Sequence, residues 1–437
     1  MKNDTRYKPY PRYKDSAVEW LGEIPEHWSV ARVGENAHLI NGYPFDSAQF
    51  DLNNGLPLVR IRDLQNQETE VRYAGPPIEE ARIAEGDIII GMDGDFAVAR
   101  WRGGEALLNQ RLCSLRPKAS IAGNFLYYLL GTPLQLINDL THSTTVKHLS
   151  SSQVTKTKFG FPPECEQRAI AEFLDRETAK IDALIARKER LIDLLQEKRA
   201  ALITHAVTRG VNPDTPLRDS SIEWLGQIPK HWEVRRLKFA ATAKTGFAFN
   251  SDDFVNEGIP LLRIGDITPD GRVDFSNAKY LPLDYLTSHA DVTVAPGSIV
   301  MAMTGATIGK VGRYHDEGPG LLNQRVCMFV NTPDLKADYL WYLLNADFYV
   351  EHVLLIAFGG AQPNISDVEL LDCRAPIPPI DEQIQIVCDL NARLTTISAM
   401  KSKVEDAIKS LSEYRTALIT AAVTGKIDVR NEVKAAA

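Results

Sequence analysis

Hydrophobic residues follow two patterns along this chain, and each pattern occurs twice. Short apolar runs such as Leu56–Ile61, Gly86–Ile90 and Ser298–Met303 are bounded by Gly, Pro and Asp, which predicts strands closed by turns. Between them, Asn124–Asn138 (Phe125, Leu126, Leu129, Leu130, Leu134) and Ala337–Val350 (Leu340, Leu343, Leu344, Phe348) place apolar side chains at helical spacing. Residues 16–160 and 220–374 therefore read as mixed α/β domains.

The second pattern follows each domain. Val387, Leu390, Leu394, Ile397, Lys401, Val404, Ile408, Leu411, Arg415, Leu418 and Ala422 alternate three and four residues apart. The same seam runs through Ala171, Leu174, Thr178, Ile181, Ile185, Lys188, Ile192, Leu195, Arg199, Leu202 and Ala206. Such a heptad seam predicts a coiled-coil helix. Each helix has about 40 residues and spans roughly 60 Å. Pro162–Pro163 and Pro378–Pro379 block helix before each seam, and Gly210 and Gly425 lie where a helix stop belongs. A seam this long needs another helix, and the matching one is the other copy; packing on its own domain is the plainer alternative. Lys188, Arg199, Lys401 and Arg415 at seam positions cost stability and are candidates for fixing register.

The duplication extends to local motifs. Ser16-Ala-Val-Glu-Trp-Leu-Gly-Glu-Ile-Pro-Glu-His-Trp28 returns as Ser220-Ser-Ile-Glu-Trp-Leu-Gly-Gln-Ile-Pro-Lys-His-Trp232, and Leu56-Pro-Leu-Val-Arg-Ile-Arg-Asp63 as Ile259-Pro-Leu-Leu-Arg-Ile-Gly-Asp266. Leu107-Leu-Asn-Gln-Arg-Leu-Cys113 returns as Leu321-Leu-Asn-Gln-Arg-Val-Cys327. Glu166-Gln167 returns as Glu382-Gln383, and Ala201-Leu-Ile-Thr204 as Ala417-Leu-Ile-Thr420. The order is the same in both halves, which marks a duplicated domain–helix pair rather than a solenoid of small repeats. The paired Trp motif is expected to pin the start of each domain.

Composition adds mainly exclusions. The chain has 437 residues, 44% hydrophobic, enough for two or three cored domains. No apolar run reaches membrane-spanning length, and the charged start lacks a secretory pattern. The five cysteines are scattered with no C-x-x-C pair, pointing to reduced thiols, a cytoplasmic setting and no metal site. Net charge is −8 and no segment is basic overall, so charge alone does not suggest nucleic acid. Gly305-Ala-Thr-Ile-Gly-Lys310 lacks P-loop spacing and is followed by Val311; Asn212-Pro-Asp-Thr is a turn, not an Asn-Pro-Pro-aromatic methyltransferase motif. No dinucleotide fingerprint follows a strand. His27 and His231 recur without a third ligand and read as structural. No catalytic residue is assigned.

The Glu19-Trp-Leu-Gly-x-Ile-Pro-x-His-Trp28 motif, the Pro-Pro-x-x-Glu-Gln openings Pro162–Gln167 and Pro378–Gln383, and the Arg-x-Ala-Leu-Ile-Thr and Ala-Val-Thr sequences ending each helix together resemble the specificity subunit of type I restriction-modification systems. The resemblance covers nearly the entire chain. It implies an α+β architecture with two α/β target-recognition domains, 1–160 and 211–374. Two long antiparallel coiled-coil helices, 161–210 and 375–430, would hold them apart with pseudo-two-fold symmetry, leaving a disordered tail, 431–437. It further implies a chain without catalysis or cofactor of its own. The expected partners are double-stranded DNA, two adenine methyltransferase subunits and, for cleavage, two restriction subunits. S-adenosylmethionine and ATP with Mg²⁺ would belong to those partners.

Two unequal recognition domains on a paired helix suit a bipartite, asymmetric site, with the helix acting as a ruler against a DNA turn of about 34 Å. Adenine flipping falls to the partner. Residues shared by both copies are expected to build the frame or hold phosphate, and residues that differ to read bases. The sharpest divergence, Asp93–Arg102 against Thr304–Arg313, offers Arg100, Arg102, Lys310 and Arg313. The Gly-Tyr-Pro-Phe45 and Gly-Phe-Ala-Phe249 loops offer Tyr43, Phe45, Phe247 and Phe249. Arg60, Arg263, Arg111 and Arg325 sit in apolar runs and read equally as paired structural residues. The rival reading is a non-enzymatic coiled-coil scaffold bridging two protein partners; a hydrolase would need a carboxylate pair that the sequence does not display.

Overall fold

A computed structural model describes residues 7–64, 68–140, 148–315, 317–357 and 363–432. The chain forms two compact units, Met1–Lys188 with Asp406–Ala437, and Glu189–Glu405. The two seams form single helices, α1 (Glu164–Arg209, 46 residues) and α2 (Ile380–Val423, 44 residues). Each unit contains one α/β domain and part of both helices.

Within the first unit a four-stranded antiparallel sheet runs Val98–Arg100, Ile88–Gly91, Leu112–Pro117, Ala37–Asn41. A second sheet carries the parallel pair Leu56–Val59 and Ala106–Leu108. The second unit repeats this with Val311–Arg313, Ile299–Ala302, Val326–Asn331 and Ala241–Thr245, and with the parallel pair Ile259–Leu262 and Gly320–Leu322. The central strands read as unbroken apolar runs because both faces are covered. Ile88 and Ile90 join the core beneath α1, while Ile89 packs into a separate core with Leu108 and Trp101. Ile299 and Met301 divide from Val300 and Ala302 in the same way.

Two expected elements are corrected. The strand expected over Leu56–Ile61 stops at Val59, because Asp63 Oδ2 accepts the Arg60 N–H at 2.9 Å and tightens Ile61–Asp63 into a 3₁₀ turn. The helix expected over Ala337–Val350 is two, Ala337–Leu344 and Asp347–Ala357. Asn345 donates its side-chain amide back to the Trp341 carbonyl at 2.8 Å, a local bond that competes with continuing the helix. The tail expected at 431–437 lies, past residue 432, outside the described residues. No helix among the described residues is long and apolar enough to cross a membrane.

The start of each long helix is tied to its domain by the repeated motifs acting on one another. Glu166 accepts from Trp28 Nε1 at 3.1 Å and lies 2.8 Å from His27 Nε2. Glu382 accepts from Trp232 Nε1 at 2.9 Å and bonds His231 Nε2. The neighbouring glutamines satisfy backbone groups. Gln167 accepts from Ala122 N and donates to the Pro162 carbonyl, and Gln383 accepts from Lys336 N and donates to Pro378. Burying the two carboxamides and the Glu166 carboxylate is tolerated only because their polar atoms have partners.

Along the seams Leu174, Ile181, Leu195, Leu390, Leu394, Ile397 and Leu418 are buried, and Ile185, Ile192, Leu202, Val404, Ile408 and Leu411 are half-buried. In the first unit the opening of α1 shares a core with the end of α2, Leu174 and Ile181 with Leu418 and Ala422. In the second, the end of α1 shares a core with the opening of α2, Leu195 and Ile203 with Leu390 and Leu394. Each pairing is antiparallel. Arg415, a charge on the seam, forms a two-pronged ion pair with Asp182 on the facing helix, at 2.8 and 3.2 Å, which favours one alignment over its neighbours.

Candidate nucleic-acid interface

In each copy a glycine lets a loop cross the Asn-Gln-Arg turn at van der Waals contact. Gly42 N donates to Leu112 O at 3.0 Å and Tyr43 N to Leu108 O at 2.8 Å; Gly246 N and Phe247 N make the same bonds to Val326 O and Leu322 O, at 3.0 and 2.9 Å. A Cβ on Gly42 would stand 1.9 Å from the Asn109 carbonyl oxygen, and one on Gly246 2.2 Å from that of Leu322. No other residue fits.

The crossing sorts the aromatic pairs. Tyr43 and Phe247 are turned out, 44% and 48% exposed, while Phe45 is buried and Phe249 packs on the second sheet's core. Their edge-to-face contacts, with ring centres 5.3 and 5.2 Å apart, fix the outer rings against the inner ones. Bridges Tyr43 to Asn109 and Phe247 to Asn323 set exposed Gln110 and Arg111, or Gln324 and Arg325, beside the outer ring. An exposed ring, an amide and a guanidinium on one rigid turn can offer apolar contact, adenine-type pairing and guanine or phosphate pairing.

The copies differ in what holds that arginine. Asp93 accepts from Arg111 at 2.9 Å and lies 2.9 Å from His148 Nδ1. The matching bridge in the second copy joins Thr304 to Asn364. There, among the described residues, Arg325 forms no ion pair, and the Thr304 hydroxyl is buried without a partner. Among the described residues, one arginine is thus aimed by a carboxylate and the other is not.

The remaining sequence candidates stand elsewhere. Arg100 is on the edge strand opposite the one leading to Tyr43, where it bonds Asn124. Arg313 occupies the same opposite edge in the second copy, 2.7 Å from Asp338 and over the Trp341 ring at 5.2 Å. Arg102 is exposed and Lys310 half-buried. Arg60 pairs with Asp63 and Glu70, and Arg263 with Asp266; Asp266 is pushed up from the ordinary carboxylate range by burial. The structure therefore groups Tyr43 and Phe247 with the Gln-Arg pairs and leaves Arg100 and Arg313 apart. Gln110 and Gln324 escape a reading by divergence because both copies have them; a polar pair repeated inside an otherwise buried strand turn is the signal that points to them. Among the described residues, no three His, Cys, Asp or Glu side chains lie together as metal ligands would. Cys113, Cys327 and Cys373 are buried thiols pushed up to about 12 by desolvation, the environment of an inert rather than a reactive cysteine.

Comparison with known proteins agrees with this duplicated plan. The chain is 27% identical over 424 residues to the type I restriction enzyme EcoBI specificity subunit of Escherichia coli, covering 94% of this chain and 88% of that one. It is 26% identical to the MjaVIII specificity subunit of Methanocaldococcus jannaschii, over 93% of this chain and 95% of that one. A solved structure from work on assembly and conformational transition of the type I R-M system has the same fold, with a TM-score of 0.67 at 16% identity, covering 92% of this chain and 99% of that one. The family model described as type I restriction modification DNA specificity domain matches twice, at residues 25–193 and 229–410, and the chain therefore belongs to the family of type I restriction-modification specificity proteins.

Proposed function

We propose that this chain is the non-catalytic DNA-reading subunit of a type I restriction-modification assembly, with each copy reading one half of an asymmetric, bipartite duplex site. The observation carrying this reading is the twice-built platform: Tyr43 with Gln110 and Arg111, and Phe247 with Gln324 and Arg325, on the same frame but in different electrostatic settings. Equal frames give equal docking; unequal surroundings give unequal half-sites.

Methylation and cleavage fall to partners, two adenine methyltransferase subunits and up to two restriction subunits, which would bring S-adenosylmethionine and ATP with Mg²⁺. Leu184, Leu191, Leu194 and Met400 are exposed on the long helices, and apolar side chains of this size favour cover by partner helices. With a net charge of −8 on this chain, partners would supply much of the phosphate attraction. The test is a gel shift of the chain with its methyltransferase on random duplexes. Salt-sensitive, sequence-selective binding supports the reading; complex formation with no DNA selectivity would leave the chain a scaffold.

A further inference from the structure

Glu166 and Glu382 occupy equivalent positions, yet one is sealed and the other is not. In the first unit Tyr10 donates its hydroxyl to Glu166 and packs edge-on against Trp28 at 5.9 Å. Arg430 lies over the Tyr10 ring at 5.1 Å and is itself held by Asp428. The Glu166 side chain is 3% exposed.

In the second unit the segment corresponding to Tyr7–Tyr13 is Val211–Leu217, as the matched hairpins Tyr13–Asp15 with Glu23–Pro25 and Leu217–Asp219 with Gln227–Pro229 show. It contains no aromatic residue. Glu382 is 34% exposed and opens on a cavity of 290 Å³ lined in part by His231, Arg209, Thr215 and Gln385. The indole and imidazole donors are in place, and Arg209 supplies a cation at the rim. What is missing relative to the filled twin is a phenol.

We propose that the cavity beside Glu382 is a docking site for a tyrosine presented by an extended segment of a protein partner. The phenol hydroxyl donates to Glu382 and Arg209 covers the ring as Arg430 covers Tyr10, while the buried Trp232 acts only through its bond to Glu382. The first unit shows the complete arrangement made within one chain. There the tyrosine is flanked by Pro9 and Pro11, which keep its segment extended. The site goes beyond the reading of DNA, and its failure would leave that reading untouched.

The probe is a fluorescein-labelled peptide with the sequence of residues 7–13, titrated onto the full-length chain by fluorescence anisotropy. Expected is saturable binding of one peptide per chain, because the first site is already filled. Replacing the central tyrosine of the peptide by phenylalanine should weaken it about tenfold, the loss of one hydrogen bond to a charged group. Thr215→Tyr, which fills the cavity from its own wall, should abolish binding while leaving thermal unfolding unchanged. No saturable binding, indifference to the hydroxyl, or undiminished binding to folded Thr215→Tyr would each overturn the proposal.

Discussion

Glu166 and Glu382 accept the same indole and imidazole donors in two copies of one frame, and the turns Leu108–Leu112 and Leu322–Val326 make matching bonds to their crossing loops. A few residues away the copies part: Asp93 grips Arg111, whereas Thr304 leaves Arg325 without a carboxylate among the described residues. Constancy covers the buried frame and the exposed Gln-Arg pairs it carries, and difference lies in the side chains that surround those pairs. This is the division expected of a protein that must keep its docking geometry while changing what it reads.

The largest test of the shared frame is to remove its indoles. Trp28→Ala and Trp232→Ala should each destabilise the unit concerned by about 3–5 kcal/mol, since both rings are fully buried. Hydrogen exchange resolved along the chain would show whether each loss stays in its own unit. A smaller, unequal pair follows. Glu166→Ala strands two buried donors, the Tyr10 hydroxyl and the Trp28 indole, and should cost about 3 kcal/mol, while Glu382→Ala, open to water, should cost about 1 kcal/mol. Equal losses in denaturant titrations would erase the distinction between the sealed and open sites.

At the turns proposed to read DNA the comparison can be inverted. Asp93→Asn releases Arg111 and Thr304→Asp offers Arg325 a partner, so each should shift preference about tenfold at one half-site and leave the other alone. Binding selections on randomised duplexes would read this directly. The smallest effect concerns acid. The Asp428 carboxyl is held below its ordinary range chiefly by hydrogen bonding to Arg430. A depressed folded value contributes stability above the unfolded pKa, about 3.9, and loses it as pH falls through the folded value. Residues 425–432 should therefore lose exchange protection below about pH 4, and Asp428→Asn should remove that dependence while lowering protection at neutral pH.

Much of the fold is legible in the sequence. Period three-four apolar seams, proline pairs and collinear motifs are local signals, and they point to both long helices and to a duplicated plan of mixed sheet and helix. The Glu–His–Trp ties were not legible. Trp28 and Glu166 are 138 residues apart, and the motifs containing them gave no sign of touching beyond appearing twice in the same order. Arg111 and Arg325 were ambiguous for a physical reason: buried Leu112 and Val326 follow them, so hydropathy hides a side chain that turns outward at a tight turn. Arg313 shows the reverse. It stands in a divergent stretch that suggested DNA, yet Asp338 and Trp341 already engage its guanidinium.

The central claim is that each copy reads its own half of one DNA site. Methylation-aware sequencing of the host genome tests it most directly, comparing the intact gene, its deletion and Thr304→Asp. The account predicts a bipartite adenine-methylation motif that vanishes on deletion and changes in one half only with Thr304→Asp. A methylation pattern unchanged by deletion, or both halves changing together, would contradict it.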